Sequence, residues 1–348
     1  MTTPLTFNCM TTAIGSVPFT DAAASARFVL DSGIDVPFWP QLPKRDFREL
    51  MNPQFAEGLP CFRTDRATKR TWFEVGDDKP EQMTHFYEKL LAGDHETLGL
   101  SEDVAAGYHA FLDELRSRAL HFDWLKGQVT GPITLTLSMQ DQDRRPIYYD
   151  PELQEAAVQA LIVKGTQQVE ALGRFAERVL IFIDEPVLAA FGTSAYLSLK
   201  EEDVIRLIDA LAGPLREAGA VVGVHCCGNT DWAKMTQTKT DVLSFDAYGY
   251  GDSVCLYPAE VGRFLDRGSA LAWGIVPTSE EVRTETAETL AARLDEQMQH
   301  LASRGIDMDR LEAQALITPS CGTGPMEEAD ALKAFGTLVD LGRKLRDR

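Results

Sequence analysis

Hydrophobic and polar positions along the chain repeat in one order: a short apolar or β-branched run, a turn, then a longer segment with apolar residues at helical spacing. Eight such runs follow one another, at residues 7–17, 34–42, 122–133, 179–186, 220–228, 241–249, 270–278 and 315–322. Residues 151–178 are rich in Ala, Gln, Glu and Leu and follow Asp150, which predicts a helix with Asp150 as N-cap and Pro151 in its first turn. Residues 199–218, 279–304 and 326–345 read the same way, with Ser279 as the expected cap and Glu280 and Glu281 in the first turn. Eight strands alternating with helices predict an α/β fold, a (β/α)8 TIM barrel, as a single domain over residues 1–348. Residues 44–120 are too long for one connection. Extra helices are expected there, between strands two and three, at 81–92 and 101–119, with a short hairpin near 70–75 over the barrel mouth. An open doubly wound sheet would carry a glycine-rich phosphate loop after its first strand, which Gly15 alone does not make.

The chemically distinctive residues gather where these strands end. Strand one ends Ile14-Gly15-Ser16, strand three Thr130-Gly131-Pro132, strand four Asp184-Glu185-Pro186 and strand five His225-Cys226-Cys227-Gly228. Strand six ends near Asp246, strand seven at Val276-Pro277-Thr278 and strand eight at Pro319-Ser320-Cys321-Gly322. In a barrel of this kind that face carries the active site. His225 and Cys227 are two apart on a strand, so their side chains share a face and Cys226 points the other way. Cys321 brings a second sulfur from the last strand. Two thiolates and an imidazole suit zinc, and three protein ligands leave a coordination position for substrate. Zinc deprotonates a bound thiol, and the thiolate is the nucleophilic form. A sulfur-rich donor set therefore points to alkylation of a small thiol, whereas zinc hydrolases favour His and carboxylate ligands. Asp184 is expected to bind a substrate ammonium, and the amides of Ile14, Gly15 and Ser16 a carboxylate. Glu185 reads as a cap or partner for a neighbouring loop. Cys9, Cys61, Cys226 and Cys255 read as packing residues.

Charge narrows the partners. With 53 acidic against 34 basic residues the net charge is -19, so neither nucleic acid nor an anionic membrane is expected. No apolar run approaches the roughly 20 residues a membrane span needs. Residues 1–9 lack a basic region followed by an apolar one, so a cytoplasmic location is expected, and the 6 cysteines read as thiols or metal ligands rather than disulfides.

Taken in order, Thr12-Ala-Ile-Gly-Ser16, Thr130-Gly-Pro132, Ile183-Asp-Glu-Pro186, His225-x-Cys227, Asp241-Val-Leu-Ser-Phe-Asp246 and Pro319-Ser-Cys-Gly322 resemble the catalytic domain of cobalamin-independent methionine synthase, within the uroporphyrinogen decarboxylase-like superfamily of barrels. The resemblance implies zinc ligands at His225, Cys227 and Cys321, with the family's carboxylate ligand, a Glu, falling on the shorter Asp246. It implies an amino-acid site at Ile14, Gly15, Ser16 and Asp184. The acid that helps to hold the substrate amine at the end of strand two is Gln41 here. The tryptophan that stacks on folate aligns with Ser138, the folate-binding acid with Ala190, and the histidine of the strand-seven loop is missing after Thr278. These departures, and the lack of the duplicated N-terminal half, match the short core form, for which the resemblance implies a methylcorrinoid donor: methylcobalamin, free or as a corrinoid protein. Homocysteine, methylated to methionine, is the expected thiol. Another thiol such as coenzyme M is the alternative within the superfamily, and a metal-free porphyrinogen decarboxylase the alternative outside this chemistry; the latter would want a cationic cavity, against the charge of the chain.

Overall fold

The computed structural model describes residues 4–190 and 200–348. Nine strands occur among them: β1 Met10–Thr11, β2 Phe62–Asp65, β3 Arg70–Phe73, β4 Phe122–Thr130, β5 Ala176–Asp184, β6 Val221–Cys226, β7 Val242–Phe245, β8 Ala270–Val276 and β9 Ala315–Pro319. Seven of them form one parallel sheet in the order β1-β9-β8-β7-β6-β5-β4, and β2 and β3 make a separate antiparallel hairpin. Helices connect the parallel strands, as this topology requires. No helix among the described residues is long and apolar enough to cross a membrane.

Seven of the eight expected strands join this curled parallel sheet, and the run at 34–42 is the exception. It lies between β1 and β4 but makes only isolated bridges, Ser16 with Gln41 and Phe38 with Lys126. Single bonds hold it, such as Val36 N–H to the Thr11 carbonyl at 2.9 Å and Lys126 N–H to the Pro37 carbonyl at 2.8 Å. The reason is chemical: Pro37, Pro40 and Pro43 lack the N–H that a ladder position needs.

The connecting helices follow their signals closely. Asp150 caps the Pro151–Leu172 helix, its carboxylate accepting from Glu152 N–H and Leu153 N–H. The expected 199–218 helix appears as Glu201–Glu217, with Leu199 outside the described residues. Between strands two and three of the expected series lie the helices Lys79–Leu91 and Ala106–Ser117 and the hairpin, which starts at Phe62, earlier than anticipated. Ser279 does not cap a long helix. It precedes a single 3-10 turn, Glu280–Arg283, and the α-helix Ala287–Ala302 starts at Thr286, which forms a reciprocal capping box with Thr289.

Side chains at paired positions of a parallel sheet share a face. The registers line up Phe182, Gly223 and Val242 on the inner face, and above them Asp184, His225 and Ser244. The lower level is apolar, with Phe7, Trp124, Leu180, Phe182, Val242 and Ala270 in one buried cluster. Gly223 is required there, because a Cβ would lie 2.6 Å from the Phe182 ring. On β5, β6 and β7 the polar side chains thus begin at the C-terminal end, whereas β4 carries Lys126 and Gln128 at the level of Leu180 and Phe182.

Glu185 binds this end to the helix that follows β4. It is fully buried and accepts from Ile133 N–H at 2.9 Å, Thr134 N–H at 2.7 Å and the Thr134 hydroxyl at 2.6 Å, capping the Pro132–Ser138 helix. Gly131 leaves the room: a Cβ there would lie 2.0 Å from the Glu185 carboxyl carbon. Burial, opposed by these donors, pushes Glu185 up from 4.5 to about 7. The folded state then holds a proton that the unfolded chain has released, so the stability Glu185 contributes is full below 4.5 and falls as the pH rises through about 7. Glu185→Ala should cost about 2–4 kcal/mol in urea unfolding at about pH 5, because it strands two buried N–H groups, and the deficit should shrink towards about pH 7.5.

Candidate functional site

Two strand ends converge at the mouth and bring three side chains together. His225 sits on the last turn of the β6 ladder, Cys227 follows it on the same face, and Cys321 lies just beyond β9. One imidazole nitrogen and the two sulfurs all fall within 4.8 Å of one another. Of the His225 ring nitrogens, Nδ1 lies 2.9 Å from the Ser244 hydroxyl, while Nε2 is buried with no partner. A buried orphan nitrogen is costly unless something binds it. One imidazole and two sulfurs, with a buried nitrogen lacking any other partner, form a donor set that suits zinc. Ser244 fixes one ring nitrogen, the usual outer-shell arrangement for a ligating histidine, and leaves the other aimed at the sulfurs.

The two thiols perturb each other in opposite directions. The hydrogen bond from Cys321, with help from His225, pulls Cys227 down to about 4, and the same bond, with burial, pushes Cys321 up. One thiolate is thus held ready beside an imidazole. Cys226 behaves oppositely: it packs in the outer core, which also takes in Cys9, Cys61 and Cys255, as the alternation along β6 requires, and burial pushes it up to about 12.

Asp184 is paired in register with His225. Its Oδ1 is buried without a partner, and burial raises the carboxyl to about 6 against the pull of His225 and Lys126. The 14–16 segment is docked against the loop that carries Cys321. Thr323 donates to the Ser16 carbonyl from both its N–H and its hydroxyl at 2.9 Å, and Gly324 N–H donates to the Ser16 hydroxyl at 3.2 Å. The N–H groups of Ile14, Gly15 and Ser16 donate to no acceptor among the described residues, although Ile14 and Gly15 are buried. Unpaired buried amides at a mouth suit an anion.

The structure does not bring every expected residue into this group. Asp246 lies outside the 4.8 Å cluster, and its carboxylate caps the Ala247–Val254 helix, accepting from Gly249 N–H at 2.6 Å. Gln41 is buried, and its amide donates to Gln54 at 2.9 Å. Ser138 is exposed at the end of its helix, and Thr278 is bonded to the Ser320 hydroxyl at 3.0 Å. Sequence reading missed three residues. Ser244 was legible as the inward position two before Asp246. Lys126 and Gln128 share the inner face of β4, yet a lysine inside a barrel gives no sign of its role.

Lys126 is fully buried. Its ammonium donates to the Ile14 carbonyl at 2.6 Å and to Gln128 Oε1 at 3.3 Å, and lies 4.7 Å from the centre of the Phe182 ring. Burial pushes it down to about 7, against the attraction of Asp184.

No protein-family model matches the sequence, and no curated protein matches it. Solved structures do. The chain is similar to a B12-independent methionine synthase from Shewanella sp. W3-18-1, solved in complex with selenomethionine, at 14% identity and a TM-score of 0.58, over 97% of this chain and 98% of that one. It is also similar to a methyltransferase from Methanosarcina mazei at 13% identity and a TM-score of 0.52, over 92% of this chain and 86% of that one. At such identities the likeness is one of fold: the protein shares the barrel-like α/β architecture of these two structures.

Proposed function

We propose that the protein is a zinc-dependent methyltransferase that takes homocysteine at His225, Cys227 and Cys321 and methylates its sulfur to give methionine, with methylcobalamin or a corrinoid protein as donor. The observation that carries this reading is the inward cluster of one imidazole and two thiols whose His225 Nε2 is buried and unpartnered. Zinc held by these three residues would keep a substrate thiol in its nucleophilic thiolate form at neutral pH. The remaining work belongs to the chain. Ser244 accepts the Nδ1 proton of His225 and so keeps Nε2 free to ligate. The free Oδ1 of Asp184 takes the substrate ammonium, and the amides of Ile14, Gly15 and Ser16 take its carboxylate. Two fixed ends aim the sulfur at the cluster, which lowers the entropic cost of the transfer. The new carbon–sulfur bond forms as the donor's bond to the methyl group breaks.

Coenzyme M is the second reading, because Gln41 is neutral and committed to Gln54, and unpaired amides accept a sulfonate as readily as a carboxylate. Asp184 weighs against it, since coenzyme M has no ammonium to offset that charge. A decarboxylase is not favoured by a mouth whose charged groups include Asp184 and a thiolate.

Zinc-loaded protein incubated with methylcobalamin or methyltetrahydrofolate, against homocysteine or coenzyme M, tests these assignments. Methionine from methylcobalamin and homocysteine is expected. Turnover with methyltetrahydrofolate alone would overturn the donor assignment, which rests on Ser138 and Ala190. Ser244→Ala should weaken zinc binding about 10–100-fold in competition with a chromophoric chelator, with the fold intact.

A further inference from the structure

Residues 14–16 are held unusually for a binding loop. β1 is only 2 residues long and pairs with β9 alone, and the neighbouring 34–42 segment offers isolated bridges in place of a ladder. Backbone bonds hold the later part of the segment, with Gln41 N–H on the Gly15 carbonyl at 3.0 Å and Thr323 N–H on the Ser16 carbonyl at 2.9 Å. The Ile14 carbonyl is held instead by a buried side chain from β4. Lys126 donates to the Ile14 carbonyl at 2.6 Å. Gln128, linked to Lys126 at 3.3 Å, donates to the Trp39 carbonyl at 3.2 Å and lies flat against Gly15, where an added Cβ would meet its amide carbon at 2.6 Å. Gly15 has φ 148°, so this approach depends on glycine.

We propose that Lys126, with Gln128, is the positioning residue of the anion subsite: its ammonium on the Ile14 carbonyl polarises the same peptide group whose N–H, on Gly15, receives the substrate carboxylate. This rests on the amino-acid-thiol reading above. Hydrogen bonds in a chain strengthen one another, most of all in a water-poor interior and when one donor is charged. The arrangement places the Lys126 amino group one peptide away from the subsite without exposing it. Lys126 cannot reach the ligand itself, being fully buried with Gln128 and Phe182 around it. The simple structural reading, that Lys126 only fills space, leaves unexplained why an ammonium is used where methionine would pack.

The test uses the full chain with cobalt(II) in place of zinc and follows the near-ultraviolet thiolate-to-metal band during titration with homocysteine or with 2-mercaptoethanol, which has no carboxylate. Lys126→Met keeps the volume and removes the charge. It is expected to weaken homocysteine binding about 10–100-fold, while 2-mercaptoethanol affinity and cobalt content stay as in the wild type. If Lys126→Met does not fold, Gln128→Met carries the test with the same selective loss expected. Equal weakening of both thiols, or no change for either, overturns the proposal while leaving the thiol reading in place. A wild-type protein that binds neither thiol overturns both.

Discussion

Replacing Cys321 by serine is expected to remove zinc from the protein, from about one ion per chain to near none after gel filtration, with affinity lower by on the order of 10³-fold. The substitution keeps the size of the side chain and exchanges a soft thiolate for a hydroxyl that stays protonated at neutral pH. The donor set then falls to one imidazole and one sulfur, too few to hold zinc against buffer. Stability without metal should change little, because Cys321 keeps a small, partly exposed environment and loses mainly its hydrogen bond to Cys227. The informative control is Cys226→Ser. Cys226 neighbours both His225 and Cys227 in sequence but packs in the outer core, so its replacement should leave zinc in place. Loss of zinc in both variants would point to general unfolding; loss in Cys321→Ser alone supports the three-ligand site.

Asp184→Asn should separate the two ends of the substrate. The carboxylate oxygen Oδ1 is buried and has no partner, which is an expensive state for an acid unless a cation completes it. Asparagine is isosteric and neutral, so it keeps the packing and removes the attraction for an ammonium. Homocysteine binding and kcat/KM are expected to fall about 100-fold, while a simple thiol without an amino group should bind as well as before or slightly better. The small gain would come from relief of repulsion between Asp184 and the incoming thiolate. If homocysteine binding were unchanged, the amine would sit elsewhere and coenzyme M would become the better candidate. Comparison of the two thiols on one variant makes the outcome independent of metal loading.

Much of this was legible in the chain before any coordinates. Period-two alternation placed His225 and Cys227 on one face and sent Cys226 to the other, because β-strand geometry leaves no other choice. Glu185 was expected to cap or pair with a neighbouring loop, and it does cap the helix after β4. Other features depend on partners distant in sequence. The prolines at 37, 40 and 43 were visible, yet an apolar run outweighed them and a second strand was expected at 34–42. Asp246 lies at the right strand end, but Gly249 N–H occupies its carboxylate, and helix capping is a local event that alignment of strand ends does not reveal. Ser279 looked like a cap because acids follow it, while the Thr286–Thr289 box, without an acid, was the stronger device. Lys126 was hidden for another reason. Its meaning comes from the Ile14 carbonyl, more than a hundred residues away.

Zinc at His225, Cys227 and Cys321 is expected to accept a substrate sulfur. X-ray absorption at the zinc edge, on the loaded protein before and after homocysteine, reads this directly. One nitrogen and two sulfurs from the protein are expected, with the sulfur count rising by one at roughly 2.3 Å when homocysteine is added. A zinc shell with no sulfur, or one whose sulfur count is unchanged by saturating homocysteine, would contradict it.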